Sequence, residues 1–540
     1  MPVSQKRMVK INPCNRNICF IFRIFFLISS LLIFSDNINA QDPGEKNPTR
    51  RRIDLIHADD VFILRDKATG KDWQRIVGNV NLLHGEIYMK CDSAHLFPDR
   101  NQVTAYNNIH IEQGDTLDIY GDHLEYDGAT SVAVLTGNVE LVDKETHLYT
   151  DIVTYNVDNE IASYTDGGRI INGDNTLSSI TGIYYVAQTL FHFKDSVRIV
   201  NPDYVMTADT MDYNTETETA FFTGPTEMTG DSIYLYCERG WYDTKNKETR
   251  IWKNSLIDNR KQIITGDSLY YNDSTDYGQA FRNIAIADTG NHIIVKGDYA
   301  WYYKNPERFL VTDSAMFIQY NRNDTLYMHA DTIKAVTLYD TSGTGYRLMR
   351  AFYGCRIFSR DLQAKCDSLA YSFQDSVIRM YDKPVIWSEE NQLTADSMAV
   401  FTKNRQAERM ELYNSAFVVS QVDILRYNQL KGRNLTGFFK DNELYKINIE
   451  GNGESIYYLI DGESIIGKNT TTCARIEIYV KDGKITEIYE YQSPEGVIDP
   501  PTASPADNKT LPGFSWQDAI RPKKVSDIFS RQETGTDSEQ

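Results

Sequence analysis

The sequence predicts an all-β chain, elongated and built from about twelve repeated units of bent antiparallel strands stacked into two facing sheets. Three observations predict it. A short motif returns along most of the chain. Each copy holds two extended segments separated by turn-forming residues. Within a segment, the alternation of apolar and polar residues changes phase midway.

The motif is Asp-x-x-x-Tyr, clear in "GDHLEYD", "TDIVTYN", "ADTMDYN" and "GDSLYYN". Its first position falls at Asp92, Asp122, Asp151, Ile180, Asp209, Glu238, Asp267, Asp298, Asp331, Asp367, Asp396 and Arg433. The first six steps are 29 or 30 residues, and the later ones stretch to as many as 37. Four residues on stands Tyr126, Tyr155, Tyr184, Tyr213, Tyr242, Tyr271, Tyr302 or Tyr371. Fifteen on stands a turn or bend residue such as Asn107, Gly137, Asp195 or Asp313. The residue before the anchor is small throughout, from Cys91 and Gly121 to Ala395 and Gly432.

Each unit reads as two strands, such as "TLDIYGDHLEYD" and "SVAVLTGNVELVD", joined by short clusters like "DGAT", "VDN" and "KET". Short turns at both ends require antiparallel neighbours. In the first strand Leu117, Ile119 and Gly121 share a face, and Leu124 and Tyr126 follow three residues on. In the second, Val132 and Val134 precede Val139 and Leu141. A one-residue slip is what a bulge or corner produces. Each strand should therefore cross from one sheet to the other, with the small residue at a crowded corner. The inner face is expected to include Leu117, Ile119, Leu124, Tyr126, Val132, Val134, Val139 and Leu141, with Tyr155, Tyr184, Tyr213, Tyr242 and Tyr271 farther along.

The segments divide as follows. Residues 1–40 read as a secretory signal peptide: Lys6, Arg7, Lys10 and Arg16 precede an apolar run, and Ala40 sits at a plausible cleavage point. Residues 41–54 are an N-terminal linker. Regular repeats fill 55–330, and degenerate repeats with C-terminal strands fill 331–490. Residues 491–540 form a Pro-rich linker and a flexible tail carrying Phe514, Trp516, Ile520, Ile528 and Phe529, a candidate docking motif. The Cys residues that follow the signal region are Cys91, Cys237, Cys355, Cys366 and Cys473. Three of them occupy the small corner position, so a disulfide framework is not expected.

The net charge of −19 argues against nucleic acid as a partner. The nine His fall at different phases of the repeat, without metal-ligand spacing, and no phosphate-binding, dinucleotide or serine-nucleophile motif is present. The expectation is no catalytic residue, no metal and no cofactor. The recurring Asp could suggest paired acids for glycoside chemistry, but a catalytic site is made once. These Asp occur in nearly every unit, at a bend, where a carboxylate accepts backbone N–H groups.

The segments "IVGNVNLLHGEIYMKCDSAHLF" and "LTGNVELVDKETHLYTDIVTYN" resemble the OstA/LptA family, whose members pair a hydrophobic-x-Gly-Asn-Val strand with a small-Asp-x-x-x-Tyr strand. The resemblance covers about residues 55–490 and weakens beyond Asp331. It implies a periplasmic β-jellyroll that carries lipopolysaccharide toward the outer membrane, here as a long soluble variant, docking other jellyroll-domain envelope proteins at its terminal edge strands. The physics agrees: an apolar strip between two sheets shields acyl chains at ~0.8 kcal/mol per CH₂. The alternatives are a structural or adhesive β-repeat protein with a filled interior, and a carbohydrate-active solenoid enzyme.

Overall fold

The computed structural model describes residues 52–320, 324–403, 406–440, 443–462, 464–481, 484–500 and 510–530. The expected signal peptide, most of the linker after it and the Pro-rich stretch 501–509 lie outside the described residues. The described part is all-β, with 40 strands in antiparallel register and no α-helix among the described residues.

The repeat is the structural unit. Strand Leu117–Asp127 pairs with Gln102–Gln113 on one side and Val132–Asp143 on the other, and both pairings are interrupted midway. The interruptions fall where the motif placed its corners. On one strand two successive residues adopt left-handed conformation: Asn107 and Asn108, Gly137 and Asn138, Asp195 and Ser196, Lys253 and Asn254, Arg282 and Asn283, Asp313 and Ser314. On the neighbouring strand they face the anchor of the repeat. The anchor grips them twice. Its backbone N–H bonds to the carbonyl fifteen residues on, as from Ile180 to Asp195, Glu238 to Lys253 and Asp298 to Asp313, each at 3.0 Å. Its carboxylate accepts the Asn amide sixteen residues on: Asp92 from Asn108 at 2.9 Å, Asp122 from Asn138 at 2.7 Å, Glu238 from Asn254 at 2.6 Å and Asp267 from Asn283 at 3.0 Å. The expected backbone N–H partner is present at Asp298, which accepts from Asn283 N.

The residue after the repeat Tyr closes the outer turn. Asp127 Oδ1 accepts Ala129 N, Asn156 Oδ1 accepts Asn159 N, and Asn214, Asp243 and Asn272 do the same in their units. Successive turns are then stitched at one-unit spacing, as in Val157 N to Ser131 O, Val186 N to Glu160 O and Thr215 N to Thr189 O.

The corner position is as crowded as its small residues predict. A Cβ on Gly432 would stand 2.3 Å from Ile449 Cγ2, and one on Gly297 2.5 Å from Val311 Cγ1. The five described Cys are buried and free. Cys355 and Cys366 are register partners on adjacent strands.

The C-terminal boundaries differ from expectation. Residues Glu495–Asp499 form a strand paired with Lys468–Thr472, so regular structure continues past 491. The tail is seated rather than flexible over 510–530. It runs back over earlier units on the outer sheet face: Leu511 N donates to Gln429 Oε1, Gln392 Nε2 to Ser515 O, Arg521 Nε to Gln363 Oε1 and Arg356 Nη1 to Asp527 O, at 2.8, 2.6, 2.7 and 3.3 Å. Leu511, Phe514 and Trp516 cover Phe417, Val419, Tyr427, Ile456 and Tyr458, and the Phe529 ring lies 4.6 Å from that of His329. The candidate docking motif therefore docks on its own chain. It covers an outer face, not a strand edge.

A candidate apolar conduit and its seam

The bend in every strand turns its two halves face to face, and the space between them holds one apolar cluster running from Ile53 to Ile478. Leu117, Ile119, Leu124, Tyr126, Val139, Leu141, Tyr155, Tyr184 and Tyr213 are buried in it, as expected of inner-face residues. Tyr242 and Tyr271 are half-buried at its margin. Val132 and Val134 are not inner-face residues. They are half-buried on the outer face, Val134 opposite Glu125, while Ala133 and Leu135, both at 0% exposure, point inward.

The error has a physical origin. At the anchor one residue, Asp122, makes the bend, so the inner face slips by one between Gly121 and Leu124. At the partner corner two left-handed residues, Gly137 and Asn138, make it. An even insertion leaves the parity unchanged, so Ala133, Leu135, Val139 and Leu141 share one face. Only the first strand of a unit slips phase.

Opposite the corners, the strand ends of the two halves meet along a seam. Here the repeat tyrosines find their partners, about 41 residues back in the chain. Tyr126 OH lies 2.6 Å from His84 Nδ1, Tyr155 OH donates to Gln113 Oε1 at 2.6 Å, Tyr184 OH donates to Asp143, and Tyr213 OH donates to Asn172 Oδ1 at 2.9 Å. Asn175 adds bonds to Tyr213 OH and Thr244 Oγ1, and Lys247 Nζ reaches Asp203 Oδ2 at 2.9 Å. Buried hydroxyls without partners would each cost on the order of 1–3 kcal/mol, so these pairs are what permits tyrosine at this depth. The sequence signal for the seam is a polar residue eight or nine positions before each anchor: His84, Gln113, Asp143, Asn172 and Asn201.

Burial holds the phenols and thiols inside in their uncharged forms. Burial pushes the Tyr126 and Tyr164 phenols up to about 12, and the Cys91 and Cys237 thiols likewise to about 12. Tyr155, Tyr184 and Tyr213 are raised further, also by burial first, with Asp143 beside Tyr184 adding to it. Protonated phenols and thiols in an apolar interior are poor nucleophiles and poor bases.

One group of potential metal ligands does come together, on the outer face. His110, Glu112 and Asp118 place ligand atoms within 4.8 Å of one another. The sequence hid it because Asp118 comes from the next strand. Both imidazole nitrogens already face carboxylates, at 3.4 Å from Glu112 and 2.7 Å from Asp118, and Lys90 Nζ lies 2.7 Å from Glu112. That set is an ion-paired surface cluster.

LptH from Pseudomonas aeruginosa, described as the LptA-homologous periplasmic component of the lipopolysaccharide transport device, aligns at 18% identity over 19% of this chain and 79% of its own, with a TM-score of 0.18. No curated protein matches the chain. Residues 50–209 match the family described as OstA-like protein, and over those residues the chain is OstA-like.

Proposed function

We propose that this protein is a periplasmic, non-catalytic component of an Lpt-type lipid transport path, carrying lipopolysaccharide or a related lipid along its interior toward the outer membrane. The observation that carries the reading is the unbroken apolar cluster from Ile53 to Ile478, enclosed between two sheet halves that could part along one seam. Head groups would stay in solvent, where an acidic chain tolerates them through screening or divalent ions.

The partners would be other jellyroll-domain proteins that add strands to the terminal edges. At the N-terminal end, strand Asp60–Arg65 pairs on one side only and exposes Val61, Phe62, Ile63 and Leu64. At the other end strand Ser464–Lys481 is covered by Lys484–Tyr491 and Glu495–Asp499, so the docking edge would lie on these strands, where Ile488, Tyr489, Val497 and Ile498 are exposed. Unpaired apolar edges of this kind are pairing templates.

The tight packing of the first units favours a second reading, a structural envelope protein with a filled core. Depleting the protein in its own cells separates the two. The transport reading expects lipopolysaccharide to accumulate in the inner membrane; an unchanged distribution with a weakened envelope supports the structural reading.

A further inference from the structure

The seam is not uniform along the chain. Through Tyr213 each repeat tyrosine meets a polar side chain of the opposite half. The next places break the pattern. Gly230 stands eight residues before its anchor, where His84, Asp143 and Asn172 stand in theirs, and Tyr271, 41 residues on, is half-buried. The register partner of Tyr271 is Gly278. In the other units this partner keeps a side chain, from Ala133, Ala162 and Ala220 opposite Tyr126, Tyr155 and Tyr213 to Phe191 opposite Tyr184, where the two rings stack at 4.0 Å. Gly278 offers Tyr271 no side chain at all.

The inner residues beneath respond. At the position two residues from each corner, Ile119, Leu141, Leu148, Ile170, Leu177 and Ile199 are all at 0% exposure. Their counterparts Ile257, Ile264 and Ile286 are only half-buried. A missing seam partner, a glycine opposite Tyr271 and half-buried isoleucines thus coincide in one stretch. A sealed apolar core gains nothing from half-exposed isoleucine, whereas an entrance for hydrocarbon needs it.

We propose that the seam between Gly230 and Tyr302 is a side port, through which an acyl chain passes between the surroundings and the interior, and that the units before it form a closed sleeve. The proposal rests on the lipid-carrying reading above and names the place where that lipid enters or leaves. Ile257, Ile264 and Ile286 form one lip, and Tyr271 and Tyr302 the other. The sleeve before it is held shut by the tyrosine pairs and by Lys247 on Asp203.

The test uses the full chain carrying a photoreactive residue at Ile264 or Ile286, or in the sleeve at Leu148 or Ile170, exposed to purified lipopolysaccharide for increasing times. Capture at Ile264 and Ile286 should appear first, at least fivefold faster than at Leu148 and Ile170. Equal rates at all four positions overturn the port and leave the conduit intact. Capture at none overturns the conduit reading, and the port with it. As a second measure, Gly278→Phe should recreate the Tyr184–Phe191 stack against Tyr271, since its Cβ would lie 3.3 Å from Tyr271 Cδ2. It should slow capture at Leu148 at least fivefold with the melting temperature kept. An unchanged rate in that folded variant overturns the port.

Discussion

Asp122 and Asn138 belong to consecutive strands, and the Asn138 amide donates to the Asp122 carboxylate at 2.7 Å across the bend. The same clip recurs at Asp92, Glu238 and Asp267, and in each of these units the carboxylate fixes where the next strand turns. Asp122→Ala should cost about 1 kcal/mol, the net worth of such a bond. Asn138→Gly should cost less than Asn138→Ala, because Asn138 has φ of 48° and only glycine accepts that without strain. Urea denaturation of the single and double variants measures both, and strict additivity of Asp122→Ala with Asn138→Ala would falsify the clip.

The corner glycines set a steric limit. Gly432→Leu should overpack against Ile449 and destabilise by ~1–3 kcal/mol, with Gly121→Leu milder because Leu135 Cδ2 lies 3.4 Å from its Cβ position. Cys237→Ala at the same place in another unit should cost less than either. Thermal melts of the three variants rank them; Cys237→Ala as the worst of the set would mean that its thiol has a role beyond filling space.

Alkaline pH should loosen the roll. Burial raises the phenols of Tyr126, Tyr164, Tyr242 and Tyr271 from the ordinary 10 to about 12. A raised folded-state pKa means the unfolded chain loses its proton first. The contribution of these groups is therefore complete below about pH 10 and is lost as pH climbs toward 12. Denaturation midpoints measured between pH 8 and 12 should hold steady and then fall. Tyr126→Phe should make the fall shallower, and an equally steep fall in that variant would show that Tyr126 does not take part.

The thiols should be silent until the chain unfolds. All five described Cys are buried, and Cys366, hydrogen-bonded to Cys355, has its thiol pushed up. Residues 52–540 should give no rapid reaction with a thiol reagent in buffer and five equivalents in denaturant. Three equivalents would reveal an oxidised Cys355–Cys366 pair.

Removing residues 510–530 should uncover Phe417, Val419, Ile456 and Tyr458. A hydrophobic dye should bind the shortened chain and not the full one, and Gln392→Ala should give part of the effect, because Gln392 holds both Ser515 O and Gln517 N. Absence of dye binding after truncation would mean that another segment takes over the cover.

Much of this fold was legible because the repeat encodes local geometry. The anchor, the small corner residue, the bend fifteen positions on and the tyrosine each mark one physical constraint per unit. What the sequence concealed depends on pairing between distant positions. The misplaced Val132 and Val134 came from assuming that both bends insert one residue, when the Gly137–Asn138 bend inserts two. The seam partners lie about 41 residues from their tyrosines, beyond any local pattern. The tail's seat had a signal that is visible only in retrospect: Gln363, Gln392 and Gln429 stand four residues before successive anchors, and all three are buried.

Those three glutamines bear on how such a chain could change over generations. In the first units the turn stitches recur in the same way, so duplicating or losing 29 residues would leave each of them with an equivalent partner. The strapped end has no such freedom. Leu511, Ser515 with Gln517, and Arg521 must meet Gln429, Gln392 and Gln363 in reverse order. One unit more or fewer beneath the strap would leave a glutamine facing the wrong residue. The strap thus works as a tally of the units under it, and length variation among descendants of this chain should be confined to the stretch before Asp331.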